Sequence, residues 1–431
     1  MNSKFLKIRV LKPIQLLLLV LECCWATVII LDGNSVYHAT VLQNYHLSFL
    51  SALLSVSLVA VFLASRFITL TRRDLLFLSC YFIYVIVYLW LKWDYLDVET
   101  FVSMFILGVP AMYILFKNIN RSGHVFELLY RIADIILLLS VVSIILWYLG
   151  SISGIFNTNS GVIIQWGSEK MVYGYWGMQY NLQYDTTFGI QFYRNSSIFC
   201  EAPMFNLWLN IALATEIFLK KKVSRIRVII LCVAILTTMS TTGIIFCILC
   251  FGLNYWNNIE KRKRKMRYVL YSTLFILIPV AIIAIQNVME LKAGTLSFAM
   301  RMQDYIAGVR VWIENPIFGC GLGNLTPLYQ YSYALAGNIG YSNSVFAVLA
   351  TGGIWMSVLY YVPLFAMVLI GKKANNGLFD FGICCLYLFI TTIFFARFIS
   401  AVLISLGLFM LLNRNVLVSE YSVKSDSKNH F

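Results

Sequence analysis

The chain has 431 residues, of which 60% are hydrophobic and 12% charged, and its mean hydropathy is +0.79. These values lie far outside the range of soluble globular proteins. The formal net charge is +14, but the basic residues are scattered over several short segments and both tails, which is not the pattern of a nucleic-acid-binding surface.

Apolar runs long enough to cross a hydrocarbon core of roughly 30 Å recur along the whole chain. They predict an all-α integral membrane protein, with residues 1–431 forming one polytopic domain. Two short helices are predicted between Arg227 and Asn257, where the apolar stretch is too long for one straight span and breaks near Ser240. We predict twelve spans: 13–31, 47–65, 75–91, 100–116, 130–150, 198–219, 228–240, 243–256, 268–286, 344–370, 378–395 and 398–413.

The basic residues predict which side each loop faces. With these spans, 26 of the 33 Lys and Arg residues fall on one side, together with both termini. Basic short loops stay in the cytoplasm, so both termini are predicted to be cytoplasmic, and the loops to lie near anionic lipid headgroups. The N-terminus is interpreted as a retained first helix rather than a cleaved signal peptide, since no small-residue cleavage site follows it.

Two segments on the opposite, outer side are too long to be simple connections: residues 151–197 and residues 287–343. The first is rich in aromatic residues mixed with Asn, Gln and Asp. Flat rings beside polar groups suit stacking on sugar rings, whereas an interfacial aromatic belt is the alternative interpretation.

The second outer segment contains a predicted amphipathic helix that Pro316 ends near Glu314. A glycine-rich turn follows it, with Gly319, Gly321 and Gly323. Arg301 and Arg310 are nine residues apart, about 180° of helical rotation, so at most one of them faces a common ligand. Arg310 is a weaker candidate, because it is also placed to pair with Glu314 at i+4. The apolar face of the helix comprises Met302, Tyr305, Ile306, Val309, Trp312 and Ile313.

A candidate anion site arises where three outer helix beginnings converge: residues 201–204, 240–243 and 342–344. Helix N-termini offer free N–H groups to phosphate, and Arg194 and Arg301 would complete a site for pyrophosphate. Glu201 lies at the mouth of the first of these helices, where its simpler role is to interact with the positive helix end.

Further polar residues at these helix beginnings are weaker candidates for binding substrate: Ser240, Thr242 and Asn343. The sequence has no metal-ligand spacing or redox pair, so neither a metal nor another cofactor is predicted. Cys200 and Cys320 alone of the ten cysteines are predicted to lie near the outer face.

Three stretches resemble the O-antigen polymerase and ligase superfamily, whose members act on polyisoprenoid-linked sugar polymers. Residues 194–203 (RNSSIFCEAP) resemble the family's Arg-small-Phe-x-Glu-Pro stretch, and residues 238–243 (TMSTTG) its break between short helices. Residues 301–324 resemble its outer-loop pattern of Arg, Trp, Asn-Pro and Gly-x-Gly.

The resemblance implies a metal-free enzyme at the periplasmic face of the bacterial inner membrane. Such an enzyme transfers an oligosaccharide from undecaprenyl pyrophosphate to an acceptor, with arginines holding the pyrophosphate; these correspond here to Arg194 and Arg301. A chain-length regulator protein is an expected partner.

Ligases of the superfamily carry a histidine just before the span that follows the second large loop. This chain has Tyr341-Ser-Asn-Ser344 there, which favours a Wzy-type polymerase over a ligase. Glu201 is then the candidate acid or base. A flippase or another transporter is the competing hypothesis, but transporters place charges at mid-membrane depth, whereas here the arginines lie in long outer loops.

Overall fold

The computed structural model describes residues 12–41, 46–64, 70–120, 125–187, 190–260, 296–331, 341–374 and 376–413. The predicted span 268–286 and both chain termini lie outside the described residues. At the other eleven predicted spans the structure has helices, and their ends lie within four residues of the predicted ends.

Six α-helices form the first part of the bundle. They are α1 (Lys12–Asp32), α2 (Leu47–Ala64), α3 (Arg72–Lys92), α4 (Val98–Phe101), α5 (Val109–Asn120) and α6 (Glu127–Leu146). A π-helical stretch, Val102–Gly108, joins α4 and α5 into one continuous helix, and another, Trp147–Ile152, extends α6.

Among the described residues, eight α-helices follow the first outer segment. They are α7 (Ala202–Ala214), α8 (Arg225–Thr237), α9 (Thr241–Glu260), α10 (Leu296–Glu314), α11 (Thr326–Tyr329), α12 (Ser344–Ala374), α13 (Asn376–Thr391) and α14 (Phe398–Leu412). Helix α10 ends at Glu314, two residues before Pro316, as the sequence predicts.

Five of the described helices are long and apolar enough to cross a membrane: Arg72–Tyr95, Val98–Asn118, Glu127–Ile152, Ala202–Leu219 and Ser344–Lys372. The chain is therefore a multi-pass membrane protein by length and composition of its helices. Several shorter apolar helices, such as α2 and α14, pack among them. The total of twelve crossings stays a prediction.

The prediction of an all-α protein is wrong for the first outer segment, which contains five strands. Strands β1 (Ser160–Trp166), β2 (Ser168–Tyr175) and β3 (Gln179–Tyr180) form an antiparallel sheet, and β4 (Tyr184–Thr187) pairs with β5 (Ile190–Tyr193). The physical reason is a local period of two: Val162 and Ile164 pair with Val172 and Lys170 across β1 and β2. Hydropathy averaged over a membrane-span window does not detect this period.

Tight turns fix the register of the sheet. Gly167 joins β1 to β2 with a φ of 74°, and Trp176 and Gly177 join β2 to β3 with φ of 50° and 71°. Two successive residues with positive φ are typical of the hairpin turn that matches the twist of antiparallel strands. The sheet packs on a small cluster of its own, which includes Val36, Ile164 and Cys200.

Contacts between helix ends show which ends lie on the same side of the bundle. Asp32, at the end of α1, accepts hydrogen bonds from Ser48 Oγ in α2 (2.6 Å) and from the backbone N–H of Phe398 at the start of α14 (2.7 Å). These are helix ends that the sequence assigns to the outer side, and we call this region the outer end. Asn257, near the end of α9, donates a hydrogen bond to Asp380 near the start of α13, at helix ends assigned to the cytoplasmic side.

The glycine turn of the second outer segment docks on a bend in α12. Gly353 has a φ of 60° there, and the backbone N–H groups of Cys320 and Gly321 donate to the carbonyls of Ala350 (3.0 Å) and Thr351 (2.9 Å). A Cβ at Gly319 or Gly353 would collide with the facing backbone, so this contact requires glycine. Residues 316–321 are thereby tied to the outer end of the bundle.

At the opposite end, an ion-pair network ties α6 and α8 to the π-helical stretch Thr215–Leu219, which follows α7. The Glu216 carboxylate, 1% exposed, lies 2.9 Å from Lys220 Nζ and 2.9 Å from Arg227 Nε. Asp134 in α6 pairs with the same two cations. Because the Glu216 carboxylate is buried and Lys220 and Arg227 are only partly exposed, removing this carboxylate leaves the two cations with less compensating charge.

Replacing Glu216 with glutamine is expected to lower stability by about 3 kcal/mol, the low end for a broken buried pair, because Asp134 still compensates part of the charge. The measurement is the thermal unfolding midpoint of the purified protein in detergent. Glu99→Gln is the control, since Glu99 is 45% exposed in its pair with His46, where the expected loss is below about 1 kcal/mol. Equal midpoints for the two variants would contradict the role of the network.

Candidate functional site

The end of the first outer segment carries Arg194 directly after β5. Its backbone N–H donates to the carbonyl of Gln183 (2.9 Å), and its side-chain Nε donates to the carbonyl of Thr238 (2.8 Å). Asn195 Nδ2 donates to Thr237 Oγ1 (2.9 Å). These bonds join the strand end to the end of α8, and they hold the Arg194 guanidinium at one place at the outer end.

Glu201 is the residue that immediately precedes α7, but its side chain does not cap that helix. The first N–H group, of Ala202, is bonded instead to Gln183 Oε1 (3.0 Å). Gln183 therefore stabilises the start of α7, which is the simpler role that the sequence suggested for Glu201. The Glu201 carboxylate is left for another function.

The positive charges of two arginines from separate outer segments interact electrostatically with the Glu201 carboxylate. Burial raises the pKa of Glu201, and the positive charges of Arg194, Arg301 and Lys170 oppose that rise. Burial also lowers the pKa of the Arg194 guanidinium, against the opposing charges of Asp185 and Glu201. Arg194 and Arg301 are thus close enough to repel each other, and a doubly charged anion would relieve that repulsion.

Arg301 lies near the start of α10, a helix that packs against α12. The positive charge of Arg301 also interacts electrostatically with Asp304, one turn later in α10, and with Tyr387 of α13. Burial raises the pKa of Asp304 to about 6. Tyr341 Oη donates to the backbone carbonyl of Asp304 (2.5 Å), so α10 is anchored to the segment before α12.

Arg310 lies elsewhere, on the exposed side of α10. Its guanidinium is 5.8 Å from the centre of the Tyr331 ring, and the Tyr331 hydroxyl donates to Glu314. The pairing of Arg310 with Glu314 expected from the sequence is thus replaced by contacts of both residues with Tyr331. The structure does not bring Arg310 to Arg194 and Glu201.

The break between α8 and α9 supplies two hydroxyl groups. Ser240 Oγ and Thr242 Oγ1 are 2.8 Å apart and hydrogen-bonded, and Met239 before them has a φ of 50°. The carbonyl of Thr238 that binds Arg194 belongs to the same turn. Ser240 and Thr242 therefore lie beside Arg194, at the start of α9.

Asn343 has a clear structural role. Its Oδ1 accepts a hydrogen bond from the N–H of Phe346 (2.9 Å), which caps α12, while its buried Nδ2 has no partner among the described residues. The four-residue stretch that carries a histidine in ligases therefore serves here to cap α12 and to anchor α10 through Tyr341.

A second charged cluster, which sequence analysis missed, lies at the start of α14. Arg397 donates to His38 Nε2, and His38 Nδ1 is 3.8 Å from Asp32 Oδ1. The charges of Glu201 and Arg397 both act on the Cys200 thiol, so the cluster adjoins the Glu201 site. Arg397 is one of seven basic residues predicted on the outer side, which is the signal that could have identified it.

The cysteines at the outer end are not joined by a disulfide. Cys200 Sγ donates to the carbonyl of Ser35 (3.2 Å) and Cys320 Sγ to that of Asn324 (3.5 Å). In the described ranges, no three His, Cys, Asp or Glu side chains are grouped to hold a metal ion.

Residues 226–361 match the family model described as O-antigen ligase. Over this range the chain is similar to the O-antigen polymerase and ligase superfamily. The match does not distinguish a polymerase from a ligase, and it supports a role in O-antigen or polysaccharide assembly. The matched range includes the 238–243 turn and Arg301, whereas Arg194 and Glu201 precede it. No curated protein matches the chain.

The packing of α9 after the break between α8 and α9 predicts changes in stability that can be measured without substrate. A Cβ at Gly243 would collide with the buried Oδ1 of Asn206 in α7, whereas a Cβ at Gly252 in the same helix would meet nothing. Gly243→Ala is expected to cost about 1–3 kcal/mol by overpacking. Gly252→Ala is expected to be neutral or to stabilise α9 by about 0.5–1 kcal/mol. Thermal unfolding of both variants checks this, and equal midpoints would contradict the close approach of α7 and α9.

Proposed function

We propose that this protein polymerises undecaprenyl-pyrophosphate-linked repeat units into O-antigen or a related surface polysaccharide at the periplasmic face of the inner membrane. The observation that carries the proposal is that the charges of Arg194 and Arg301, from two separate outer segments, interact with one half-buried carboxylate, Glu201. A pair of like charges beside a carboxylate suits a reaction in which a diphosphate leaves and a hydroxyl loses its proton.

The arginines bind the diphosphate of the donor. Guanidinium groups make charge-assisted, often bidentate hydrogen bonds to phosphate oxygens. Negative charge on the diphosphate grows as the sugar–phosphate bond breaks, so two fixed guanidinium groups stabilise the transition state more than the bound donor. Ser240 and Thr242, beside Arg194, are further donors to the same group.

Glu201 is the proposed general base. A hydroxyl of the acceptor sugar attacks the anomeric carbon of the donor, and Glu201 takes the hydroxyl proton. The bond from the anomeric carbon to the phosphate oxygen breaks, and its electron pair leaves with undecaprenyl pyrophosphate. Because burial raises the pKa of Glu201 above its ordinary value, the carboxylate is a stronger base than an exposed one.

The contacts before α12 support a polymerase over a ligase. Tyr341 is bonded to α10 and Asn343 caps α12, so this stretch provides packing and capping contacts. A flippase is less well supported, because the charged groups described above lie at the two ends of the bundle rather than halfway along it. A chain-length regulator remains a proposed partner.

The proposal is tested by deleting the gene in the bacterium that makes the protein and restoring it as variants. We expect surface lipid with a single repeat unit in the deletion strain and a full ladder with the wild-type gene. Arg194→Ala and Arg301→Ala are each expected to lower polymer yield by 10-fold or more, since each removes a charged contact worth about 1.5–3 kcal/mol.

The matched control is Lys92→Ala, a cation whose Nζ lies 5.9 Å from the centre of the Tyr95 ring and which should leave the ladder intact. Loss of every repeat unit from the deletion strain would indicate transport instead. Full-length polymer that is not joined to the lipid A core would indicate a ligase. Arginine variants that retain the wild-type ladder would refute the pyrophosphate site.

The role of Glu201 predicts a pH dependence. The base must be ionised, and its folded pKa is raised, so the wild-type rate should fall as the pH drops through that raised pKa. Glu201→Gln should lower the rate by about 100-fold or more at neutral pH and abolish this acidic limb. Rates in proteoliposomes measure both, with the exposed Glu169→Gln as control. A glutamine variant that keeps the acidic limb would show that another group titrates.

A further inference from the structure

A cavity of about 410 Å³ opens beside the Arg397 cluster. Residues 38–41, Gln165 and Trp166 at the end of β1, and Arg397 before α14 line it. Its volume lies within the range of roughly 300–1,000 Å³ that small-molecule sites occupy. It is separate from the Arg194, Glu201 and Arg301 site, and the proposed mechanism makes no use of it.

The walls of the cavity are held by backbone pairing. The N–H of Gln165 donates to the carbonyl of Ala39 (2.8 Å), and the N–H of Val41 donates to the carbonyl of Ile163 (3.1 Å). These bonds fasten the segment after α1 to the edge strand β1. The cavity therefore lies between a turn segment and an edge strand that are hydrogen-bonded to each other.

The charges around the cavity are balanced. The negative charges of Asp32 and Asp97 both act on Arg397, and the fully buried Asp32 is itself bonded to Ser48 and Phe398. His38 adds no charge at neutral pH, because burial and the Arg397 charge lower its pKa to about 3. The cavity thus lacks the excess positive charge that would select an anion, in contrast to the Arg194 and Arg301 pair.

The lining suits a hydroxyl-rich ring. Trp166, which is half-buried and packs against the core, and the exposed Gln165 both line the cavity. The Arg397 guanidinium adds N–H donors, one of which already goes to His38 Nε2. An aromatic ring together with amide and guanidinium groups matches the apolar face and the hydroxyl rim of a sugar.

We propose that this cavity is a subsite for an uncharged sugar ring of the acceptor saccharide. The proposal rests on the proposed function, since it takes a saccharide to be a substrate. The chain from Cys200 to Glu201 connects the two sites: the charges of both Arg397 and Glu201 act on the Cys200 thiol. A saccharide seated against Trp166 can therefore extend its next residue toward the general base.

Binding can be tested without catalysis. The probe is the oligosaccharide released by mild acid from the surface polysaccharide of the bacterium that makes the protein, titrated onto the purified full chain in nanodiscs. Trp166→Ala is expected to weaken binding by about 10-fold through loss of stacking. The matched control is Trp176→Ala, which removes a tryptophan that is 57% exposed on the same sheet and lies outside the cavity.

Because Trp166 also contacts the core, Gln165→Ala serves as a second variant, in which only an exposed amide is removed. It should weaken oligosaccharide binding by about 3-fold or more with an unchanged unfolding midpoint. Inorganic pyrophosphate is the second probe, and its affinity should be the same in wild type and in both variants. Equal oligosaccharide affinity in wild type and both cavity variants, or pyrophosphate binding that depends on Gln165, would overturn the subsite.

Kinetic measurements distinguish the saccharide subsite from the polymerase function on which it rests. In an elongation assay, the cavity variants should raise the KM for the acceptor and leave the KM for the lipid-linked donor unchanged. An unchanged acceptor KM would overturn the subsite while leaving the polymerase proposal standing. A wild-type protein that elongates nothing, but whose oligosaccharide binding depends on Trp166 and Gln165, would overturn the polymerase function and retain a saccharide site.

Discussion

Charged groups in this apolar bundle are stable only where other charges or hydrogen bonds compensate them, and that requirement shapes the outer end. Asp32, with no exposed surface, is held by Ser48, by the backbone of Phe398 and by the nearby His38 and Arg397. These contacts join α1, α2 and α14 at one point. A buried carboxylate without such partners would cost several kcal/mol.

The same requirement makes the two charged clusters chemically different. Around Arg397 the carboxylates of Asp32 and Asp97 compensate the guanidinium, so the cavity there suits neutral hydroxyl groups. Around Glu201, the charges of two arginines from separate segments interact with one carboxylate. Because the two arginines repel each other, binding a further anion there is favourable. A diphosphate-linked saccharide has both an anionic and a neutral part, which match these two environments.

The predictions made from residues 194–203 and 238–243 agree with the structure in one respect. Arg194 binds the carbonyl of Thr238, so two stretches that are far apart in the sequence lie in contact. Asn343 Oδ1 caps α12, and the role of Asn343 in binding substrate stays a prediction. The sequence has no means of separating a capping asparagine from a binding one, because both stand at a helix start.

Hydropathy and the lengths of the apolar runs were sufficient to place helices at eleven predicted spans, whereas the side that each loop faces stays a prediction. These properties are local, because a helix satisfies its backbone hydrogen bonds within itself and needs only an apolar surface to cross a membrane. The strands at 160–193 and the meeting of His38 with Arg397 depend instead on partners distant in the sequence. Strand pairing and the neutralisation of buried charge are properties of those pairs, so only the tertiary structure decided them.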